Sequence, residues 1–242
     1  MSTVKQEKVR EHYDTIADVY DSHYDGIRGR EYHAHISGHV LDALPKGSRL
    51  LDIGCGTGLF VRQYLKTGGS AFGLDISRGM IEKARQRCPE CEFLVGTADK
   101  LPFSDGNFDA VSSILAFTYL KRPEDMLSET YRVLRPGGKI AICTLGKKLL
   151  TRGIPAIYHI GEKFRVKHLV MKNFGEHYYN EREMKILFSN AGFEDIRVEW
   201  CSFAHISIPD PLFRLARRVE PFIERRIPQL AYNISVSARK PE

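Results

Sequence analysis

Short apolar runs alternate with stretches of helical periodicity along most of this chain, and the alternation stays regular to about residue 144. Apolar runs predict β-strands over residues 48–53, 71–75, 92–96, 108–114 and 139–144. Helical spacing follows over residues 59–66, 78–87 and 124–134, and the last of these helices meets a terminator at Arg135-Pro136-Gly137-Gly138. Strands that alternate with helices in this way predict an α/β fold with a doubly wound, mostly parallel sheet.

Both ends of the chain depart from this rhythm. Helical spacing covers residues 4–24 and 29–43, broken around Gly26. After the fifth strand, residues 146–179 lack clean periodicity but are rich in aromatic and histidine residues. The remaining predictions are a helix over 181–190 capped by Asn180, a strand over 193–203, a helix over 211–226 and a closing strand over 232–238. Because 146–179 leaves the carboxyl edge of the sheet, where ligands bind in such folds, it is a candidate substrate lid.

Composition is that of one compact globular enzyme-sized unit. The chain has 242 residues, of which 43% are hydrophobic and 27% charged, and its net charge of +6 permits an anionic partner without requiring one. No run of about 18 apolar residues predicts a membrane span. A polar N-terminus and five scattered cysteines favour the cytoplasm.

The turn after the first strand carries the most specific chemistry. It reads Asp52-Ile53-Gly54-Cys55-Gly56-Thr57-Gly58 and is followed by Leu59. A dinucleotide site needs a glycine where Leu59 stands, so that a helix opens onto a pyrophosphate. The acidic Asp52 would also repel such an anion. A cationic or zwitterionic nucleoside suits this turn better, and a dehydrogenase is disfavoured.

The turn resembles the first motif of class I S-adenosylmethionine-dependent methyltransferases, and four further segments resemble later motifs of that family. They are Gly73-Leu74-Asp75-Ile76-Ser77 with Met80, Thr97-Ala98-Asp99-Lys100-Leu101-Pro102-Phe103, Phe108-Asp109-Ala110-Val111, and Arg132-Val133-Leu134-Arg135-Pro136-Gly137-Gly138. Together they cover roughly residues 48–145 in the family's order. The resemblance is to the small-molecule branch, the methyltransferase type 11 or quinone-biosynthesis-like group.

The resemblance implies a Rossmann-like, doubly wound seven-stranded sheet. In that family an antiparallel closing strand is inserted between the fifth and sixth strands. It also implies an N-terminal helical cap over residues 1–45 and a methyltransferase domain over 46–242. The implied cofactor is S-adenosylmethionine, with S-adenosylhomocysteine as the product.

Each polar residue of the predicted cofactor site has a chemical reason. The Asp75 carboxylate accepts both ribose hydroxyls, although an aspartate there also suits a helix cap. Asp99 accepts from the adenine amino group, unless it is only a turn residue. Met80 packs on the adenine or in the helix core, and Gly54 and Gly56 let the main chain approach the methionine moiety. The predicted cofactor-binding set is Tyr13, Tyr20, Asp52, Gly54, Cys55, Gly56, Gly58, Asp75, Ile76, Met80, Ala98, Asp99, Lys100, Leu115 and Ala116.

Two Tyr-Asp pairs, Tyr13-Asp14 and Tyr20-Asp21, stand seven residues apart, which places them on roughly one helical face. In the family such a helix closes over the cofactor; packing alone is the alternative. A general base is needed only if the acceptor must lose a proton, and the candidates are Tyr20, Tyr119, His159, His168 and His177. We take Tyr20, Tyr119 and His177 as the catalytic set. Phe117-Thr118-Tyr119 replaces a histidine-containing sequence common in relatives.

Other features receive plainer interpretations. Cys88 and Cys91 form a C-x-x-C without a second pair. His33, His35 and His39 cluster on one helix, with His35 and His39 four residues apart, but no carboxylate of known position accompanies them. We therefore predict no metal site.

The helix over 211–226 has an apolar face and a basic face. The apolar residues are Leu212, Leu215, Ala216, Val219, Phe222 and Ile223; the basic ones are Arg214, Arg217, Arg218, Arg225 and Arg226. Such a helix either lies weakly on an anionic membrane or docks on the sheet with solvated arginines.

A nucleic-acid acceptor is not expected. Enzymes that methylate base amino groups carry Pro-Pro-aromatic after the fourth strand, where this chain has Ser112-Ser113-Ile114-Leu115. Cys143 is interpreted as an interior strand residue, and no RNA-binding module is appended. The expected activity is methyl transfer to a small-molecule acceptor, quinone-like or lipid-like if it is apolar. The alternative is a non-catalytic protein that binds S-adenosylmethionine. The oligomeric state is left open.

Overall fold

The computed structural model describes residues 2–147, 176–205 and 208–242. In these ranges the helices are α1 (Ser2–Ile16), α2 (Ser22–Asp25), α3 (Ile27–Ala43), α4 (Leu59–Leu65), α5 (Arg78–Arg87), α6 (Pro123–Val133), α7 (Glu181–Asn190) and α8 (Asp210–Arg226). The strands are β1 (Arg49–Ile53), β2 (Ser70–Asp75), β3 (Glu92–Val95), β4 (Phe108–Ile114), β5 (Leu134–Leu145), β6 (Glu194–Cys201) and β7 (Asn233–Arg239). None of the described helices is long and apolar enough to cross a membrane.

All seven strands form one sheet in the order β3-β2-β1-β4-β5-β7-β6. The first five strands pair in parallel, whereas β7 runs antiparallel to both β5 and β6. The expected seven-stranded sheet and its inserted antiparallel strand are therefore confirmed. Strand order reverses between β1 and β4, which opens a crevice outside their carboxyl ends.

Helices cover both faces of the sheet, so the strands are buried on both sides. On one face, α3, α4 and α5 bury residues such as Ile36, Val61 and Ile81. On the other face, α6 and α7 contribute residues such as Leu127 and Phe188. This three-layer core explains why β1 and β4 are buried along most of their length. Cys143 is fully buried in β5, as its strand interpretation requires.

Two predicted boundaries differ from the structure by more than two residues. The N-terminal helix does not continue to residue 24, because α1 ends at Ile16 and a turn over residues 17–21 separates it from α2. The Tyr-Asp pairs therefore do not share one helical face. Helix α6 ends at Val133, and β5 begins at the next residue, before the predicted terminator. The Pro-Gly-Gly segment lies in an irregular part of β5, because the pairing with β4 shifts register between Leu134 and Lys139.

Helix α8 buries a different face from the one predicted. Its buried residues are Phe213, Ala216, Glu220 and Ile223, spaced three and four apart. Leu212, Leu215, Val219 and Phe222 are instead exposed. The six apolar residues predicted as one face are thus split, because Phe213 rather than its neighbours packs against Ala204.

Candidate active site

The glycine turn lies between β1 and α4, at the crevice that the strand order predicts. Gly54, Gly56 and Gly58 all adopt left-handed backbone conformations, with φ of 72°, 52° and 79°. The Gly54 amide donates to the Leu74 carbonyl at 2.7 Å, which fastens the turn to the end of β2. The turn is therefore shaped by β2 as well as by its own glycines.

The three glycines are required for different reasons. A Cβ on Gly54 would stand 2.2 Å from the Ala116 Cβ, and one on Gly58 would stand 3.3 Å from the Ala84 Cβ. Both positions are therefore filled by protein. A Cβ on Gly56 would meet no described atom within 4 Å. Only Gly56 faces space in which a ligand can lie.

Asp75 ends β2 directly beside this space. Its Oδ2 accepts from the Gly56 amide at 2.9 Å and its Oδ1 from the Ser77 amide at 2.9 Å. Burial raises the pKa of Asp75, while these backbone hydrogen bonds oppose the shift. Each carboxylate oxygen retains a further lone pair for a ligand hydroxyl. The helix-cap alternative does not hold, since the cap of α5 is Ser77, whose Oγ accepts from the Met80 amide at 3.2 Å.

Asp52 is the deepest ionisable group of the site, with 2% of its surface exposed. Burial raises its pKa to about 7, and the neighbouring Asp75 charge adds to the shift. The Ser112 hydroxyl opposes it by donating to Oδ1 at 2.7 Å. At neutral pH the carboxyl group is therefore divided between its two protonation states, and a nearby cation would favour the ionised one.

The segment over residues 97–103, predicted to contact adenine, is held by Arg132 and Glu129 of α6, a pairing that the motifs did not indicate. Arg132 donates to the carbonyls of Phe103 at 2.7 Å and Leu101 at 3.1 Å, and Glu129 accepts from the Leu101 amide at 2.7 Å. Arg132 and Glu129 are also joined by two hydrogen bonds of 2.8 Å. Their i, i+3 spacing on α6 was the available signal.

The remaining predicted cofactor residues differ in burial. Asp99 and Lys100 are exposed, and Ala98, Ile76, Leu115 and Ala116 are half-buried. Met80 is 1% exposed, so packing in the core of α5 describes it, and its contact with adenine stays a prediction. Cys55 is buried, and burial raises the pKa of its thiol well above the ordinary value.

The turn after β4 contains a strained residue. Leu115 has φ of 59°, a conformation that side chains rarely adopt, and its amide donates to the Cys143 carbonyl at 2.7 Å. Strain of this kind is retained mainly at functional sites. It presents Ala116 to Gly54 and starts the 3-10 turn Phe117–Tyr119.

Aromatic rings from the N-terminal cap and the β4 turn form a continuous cluster. Tyr13 lies 5.9 Å from Tyr119 and 6.1 Å from Tyr20, and Tyr24 lies 5.6 Å from Tyr20 and 5.2 Å from His33, all between ring centroids. The structure thus brings Tyr13, Tyr20 and Tyr119 together and adds Tyr24 and His33. No spacing rule connects these two to the rest, because they belong to α2 and α3.

The pKa values of these groups decide which of them carry a proton at neutral pH. Burial raises the pKa of Tyr119 to about 12 and those of Tyr13 and Tyr20 well above the ordinary value. These hydroxyls therefore stay protonated at neutral pH. Burial and the Arg87 charge lower the pKa of His33 to about 4, so its imidazole is neutral.

His177 occupies a different environment. Its side chain is 51% exposed, and its Nε2 lies 2.6 Å from Glu183 Oε1. Its main chain is tied to Thr118, beside Tyr119, by hydrogen bonds of 2.9 Å and 2.8 Å. The main chain of His177 therefore lies near the aromatic cluster, whereas its imidazole ring contacts Glu183. The alternative bases His159 and His168 lie outside the described residues.

Three aspartates pin the N-terminal segment over the glycine turn. Asp14 accepts from the Ser77 hydroxyl at 2.6 Å, Asp18 lies 2.7 Å from Lys83 Nζ, and Asp21 accepts from the Thr57 hydroxyl at 2.7 Å. Asp21 also pairs with Arg87. The aspartates of the Tyr-Asp pairs thus hold the cap, while their tyrosines line the cluster.

Most of the candidate lid, residues 146–179, lies outside the described residues, but its two ends are described. The Lys147 amide donates to the Tyr179 carbonyl at 2.7 Å, and the Tyr179 amide donates to the Leu145 carbonyl at 2.9 Å. Both ends of the segment therefore start from one point at the carboxyl end of β5.

Comparisons with known proteins agree with this geometry. A family model described as a methyltransferase domain matches residues 51–142. The demethylmenaquinone methyltransferase of Renibacterium salmoninarum is 31% identical over 167 residues, which cover 63% of this chain and 70% of that protein. The biotin biosynthesis bifunctional protein BioHC of Cellvibrio japonicus is 34% identical over 154 residues, 57% of this chain but only 30% of that longer protein.

A solved structure extends the likeness in fold to nearly the whole chain. The geranyl diphosphate C-methyltransferase of Streptomyces coelicolor, solved with geranyl diphosphate and S-adenosyl-L-homocysteine, superimposes with a TM-score of 0.64 at 15% identity and covers 98% of both chains.

Proposed function

We propose that this chain, which belongs to the class I S-adenosylmethionine-dependent methyltransferases, transfers the methyl group of S-adenosylmethionine to a small, largely apolar acceptor. The observation that carries the proposal is the open space over Gly56, with the Asp75 carboxylate at its edge. Tyr13 lies near enough for the Asp75 charge to contribute, after burial, to its raised pKa. A nucleoside needs an acidic partner there, and the transfer needs an enclosed cavity beside it.

The residues present fit the cofactor. Asp75 offers the lone pairs that two ribose hydroxyls need, and we assign the exposed carboxylate of Asp99 to the adenine amino group. Asp52, divided between its protonation states at neutral pH, gains its charge when a cation approaches. S-adenosylmethionine supplies an already activated methyl group on a cationic sulfur.

The chain itself must then orient an acceptor and exclude water. The protonated hydroxyls of Tyr13, Tyr20 and Tyr119 are suited to donate hydrogen bonds to an acceptor oxygen, while their ring faces contact its apolar part. They are poor bases, since burial holds their protons. The imidazole of His33 is neutral, but the burial that lowers its pKa to about 4 also disfavours its protonated form, so it is a weak general base as well.

An apolar acceptor also agrees with what similar proteins are named for. One relative is a demethylmenaquinone methyltransferase, and a fold neighbour was solved with geranyl diphosphate. We extend to this chain only the shared chemistry, an acceptor with a large hydrocarbon part and a polar end.

The domain boundaries follow from the same proposal. Residues 1–45 act as a cap held by Asp14, Asp18 and Asp21, and residues 146–179 act as a lid whose ends start beside Tyr119. Together they would enclose the acceptor between the cap, the β4 turn and the lid.

The test is a labelled-methyl screen with purified protein, radiolabelled S-adenosylmethionine and lipid-soluble and water-soluble fractions of a cell extract. We expect label in a lipid-soluble product together with S-adenosylhomocysteine. The variant Asp75→Asn should lose cofactor binding and turnover. The variant Tyr20→Phe should retain binding, measured by calorimetry, and lose turnover. Binding without turnover in every fraction would support the non-catalytic alternative, and label confined to water-soluble products would contradict an apolar acceptor.

We further propose that α8 rests on an anionic membrane surface from which such an acceptor could be taken. Its exposed stripe includes Leu215 at 58% and Phe222 at 62% exposure. The arginines of the outward-facing turns, Arg214, Arg218, Arg225 and Arg226, are exposed alongside it. Apolar residues that enter the headgroup region beside arginines, each worth about 1 kcal/mol at an anionic surface, match the chemistry of interfacial helices.

Vesicle sedimentation tests this contact. Binding should be found with vesicles containing phosphatidylserine, fall with added salt, and be lost in a Leu215→Ser, Phe222→Ser variant. Ile186→Ser, which alters an exposed apolar residue of α7, is the matched control and should bind normally. Equal binding to neutral vesicles, or unchanged binding of the α8 variant, would contradict the proposal.

A further inference from the structure

Two histidines of α3 face a glutamate of α8 on the side of the sheet away from α6 and α7. His35 Nε2 lies 2.7 Å from Glu224 Oε1, and His39 Nε2 lies 3.8 Å from Glu224 Oε2. All three side chains are largely buried. The sequence shows the two histidines one helical turn apart; the fold adds the carboxylate, from 189 residues further along the chain.

This cluster carries more negative than positive charge. Glu220 is fully buried, with its Oε2 3.7 Å from His35 Nε2, and Glu199 Oε2 lies 3.3 Å from His39 Nδ1. Together with Glu224, three carboxylates converge on the histidine pair. Arg217 pairs with Glu220 and offsets one of them. The two remaining negative charges can be balanced either by two protonated histidines or by one divalent cation.

We propose that His35, His39 and Glu224 form a binding site for a divalent transition-metal ion, with Zn²⁺ as the best-matched metal. The donor set of two imidazoles and one carboxylate is one that Zn²⁺ uses in proteins. One atom from each residue lies within 4.8 Å of the others. Zinc–ligand bonds of about 2.0–2.2 Å place tetrahedral donors about 3.3 Å apart. Measured to the two different oxygens of Glu224, the separations of 2.7 Å from His35 and 3.8 Å from His39 lie on either side of that spacing.

Outer hydrogen bonds already orient the ligands. With Nε2 of His39 turned to Glu224, its Nδ1 faces the Glu199 carboxylate, an arrangement in which an outer carboxylate fixes the ring of a metal-bound histidine. The Ser202 amide donates to Glu224 Oε1 at 2.8 Å and holds that carboxylate in place. Such second partners are typical of metal ligands and are not needed by a simple ion pair.

An ion can reach the cluster through a surface groove of about 470 Å³, lined in part by His39, Glu199 and Lys139. This groove runs along α3, β6 and β7, apart from the glycine turn. A bound ion would join α3 to α8, and hence the cap region to the helix that we propose for membrane contact. Its expected role is structural, with Glu220 or water completing the coordination.

The test uses the full chain, stripped of metal with a chelator and titrated with Co²⁺ and then Zn²⁺. One equivalent of Co²⁺ should give the visible absorption of a four-coordinate site, Zn²⁺ should abolish it, and Zn²⁺ should raise Tm. His35→Gln and His39→Gln should each weaken binding by at least ~10-fold, and Glu199→Gln by ~10-fold through the outer partner.

Two matched controls make the result specific. His177→Gln removes another histidine–glutamate pair, that with Glu183, and Cys91→Ser removes the more exposed thiol of the C-x-x-C; both should bind normally. If the histidine variants fail to fold, ¹⁵N spectra of the unaltered protein replace them. In those spectra Zn²⁺ should shift two of the nine histidine side chains. The proposal would be overturned by the absence of a stoichiometric site, or by binding that depends on Cys91. It would also be overturned by spectra in which both histidines are protonated and unmoved by metal.

Discussion

Replacing Asp52 by asparagine should stabilise the cofactor-free protein at alkaline pH while weakening its affinity for S-adenosylmethionine. The side chain is 2% exposed, and its pKa moves from 3.8 to about 7 on folding. A raised pKa in an acid means that the folded protein holds the proton more tightly than the unfolded chain. Its contribution to stability is therefore complete below pH 3.8 and is lost as the pH rises towards 7.

The size of this loss follows from the shift. Roughly three pKa units correspond to about 4 kcal/mol against folding once Asp52 is fully ionised. Between pH 5 and pH 8 the penalty grows by about two pKa units, or roughly 3 kcal/mol. Asparagine removes that dependence, but its amide group needs a new partner, which costs about 1–3 kcal/mol at every pH. The pH-dependent difference is therefore the quantity to measure.

Urea unfolding of both proteins at pH 5 and pH 8 gives this difference directly. We expect Asp52→Asn to gain about 2–3 kcal/mol on the wild type between the two pH values. Ser112→Ala is the matched control, because it removes the hydrogen bond that lowers the pKa of Asp52 and should steepen the dependence. Calorimetry in buffers of different ionisation enthalpy should show proton release when the wild type binds the cofactor near pH 7, and less release in Asp52→Asn. A stability difference that is equal at pH 5 and pH 8 would refute the burial argument.

Four further variants test the cofactor edge and the cap over it. Gly54→Ala should destabilise the protein by about 2–5 kcal/mol in thermal unfolding, because it adds left-handed strain and a clash with Ala116. Gly56→Ala should lose only about 1–2 kcal/mol of stability but should bind the cofactor more weakly. Equal stability of the two variants would contradict this distinction. Asp21→Asn should lower stability by about 1.5–3 kcal/mol and make the cap more sensitive to protease, because it weakens the bonds to Thr57 and Arg87. Unchanged proteolysis would argue against a cap held by Asp21. Arg132→Lys should raise amide exchange in residues 97–103 and weaken adenosine binding without altering the rest of the sheet, and uniform exchange across the chain would show a global effect instead.

Strand and helix positions were largely predictable because periodicity is a local property. Helices α5 and α7 begin and end at the predicted residues, as does β4, and β1 and β2 differ by one residue. The cap of α7 was also predictable, because Asn180 and Glu183 satisfy each other's backbone amides within one turn. The break between α1 and α2 was not, since Asp21 in that turn is held by Thr57 and Arg87, which are distant in sequence.

The sequence by itself determined the fold class and the cofactor family, and it predicts the strand edge where the cofactor would lie. Each of these depends on residues that are close in the chain: an apolar strand, a glycine turn and an acidic residue at the next strand's end. The tertiary structure alone decided which face of α8 is buried, which rings join Tyr13 and Tyr20, and which carboxylate meets His35 and His39. These depend on contacts between distant segments, and the free energy of a contact is set by what packs against a side chain, which no local pattern records.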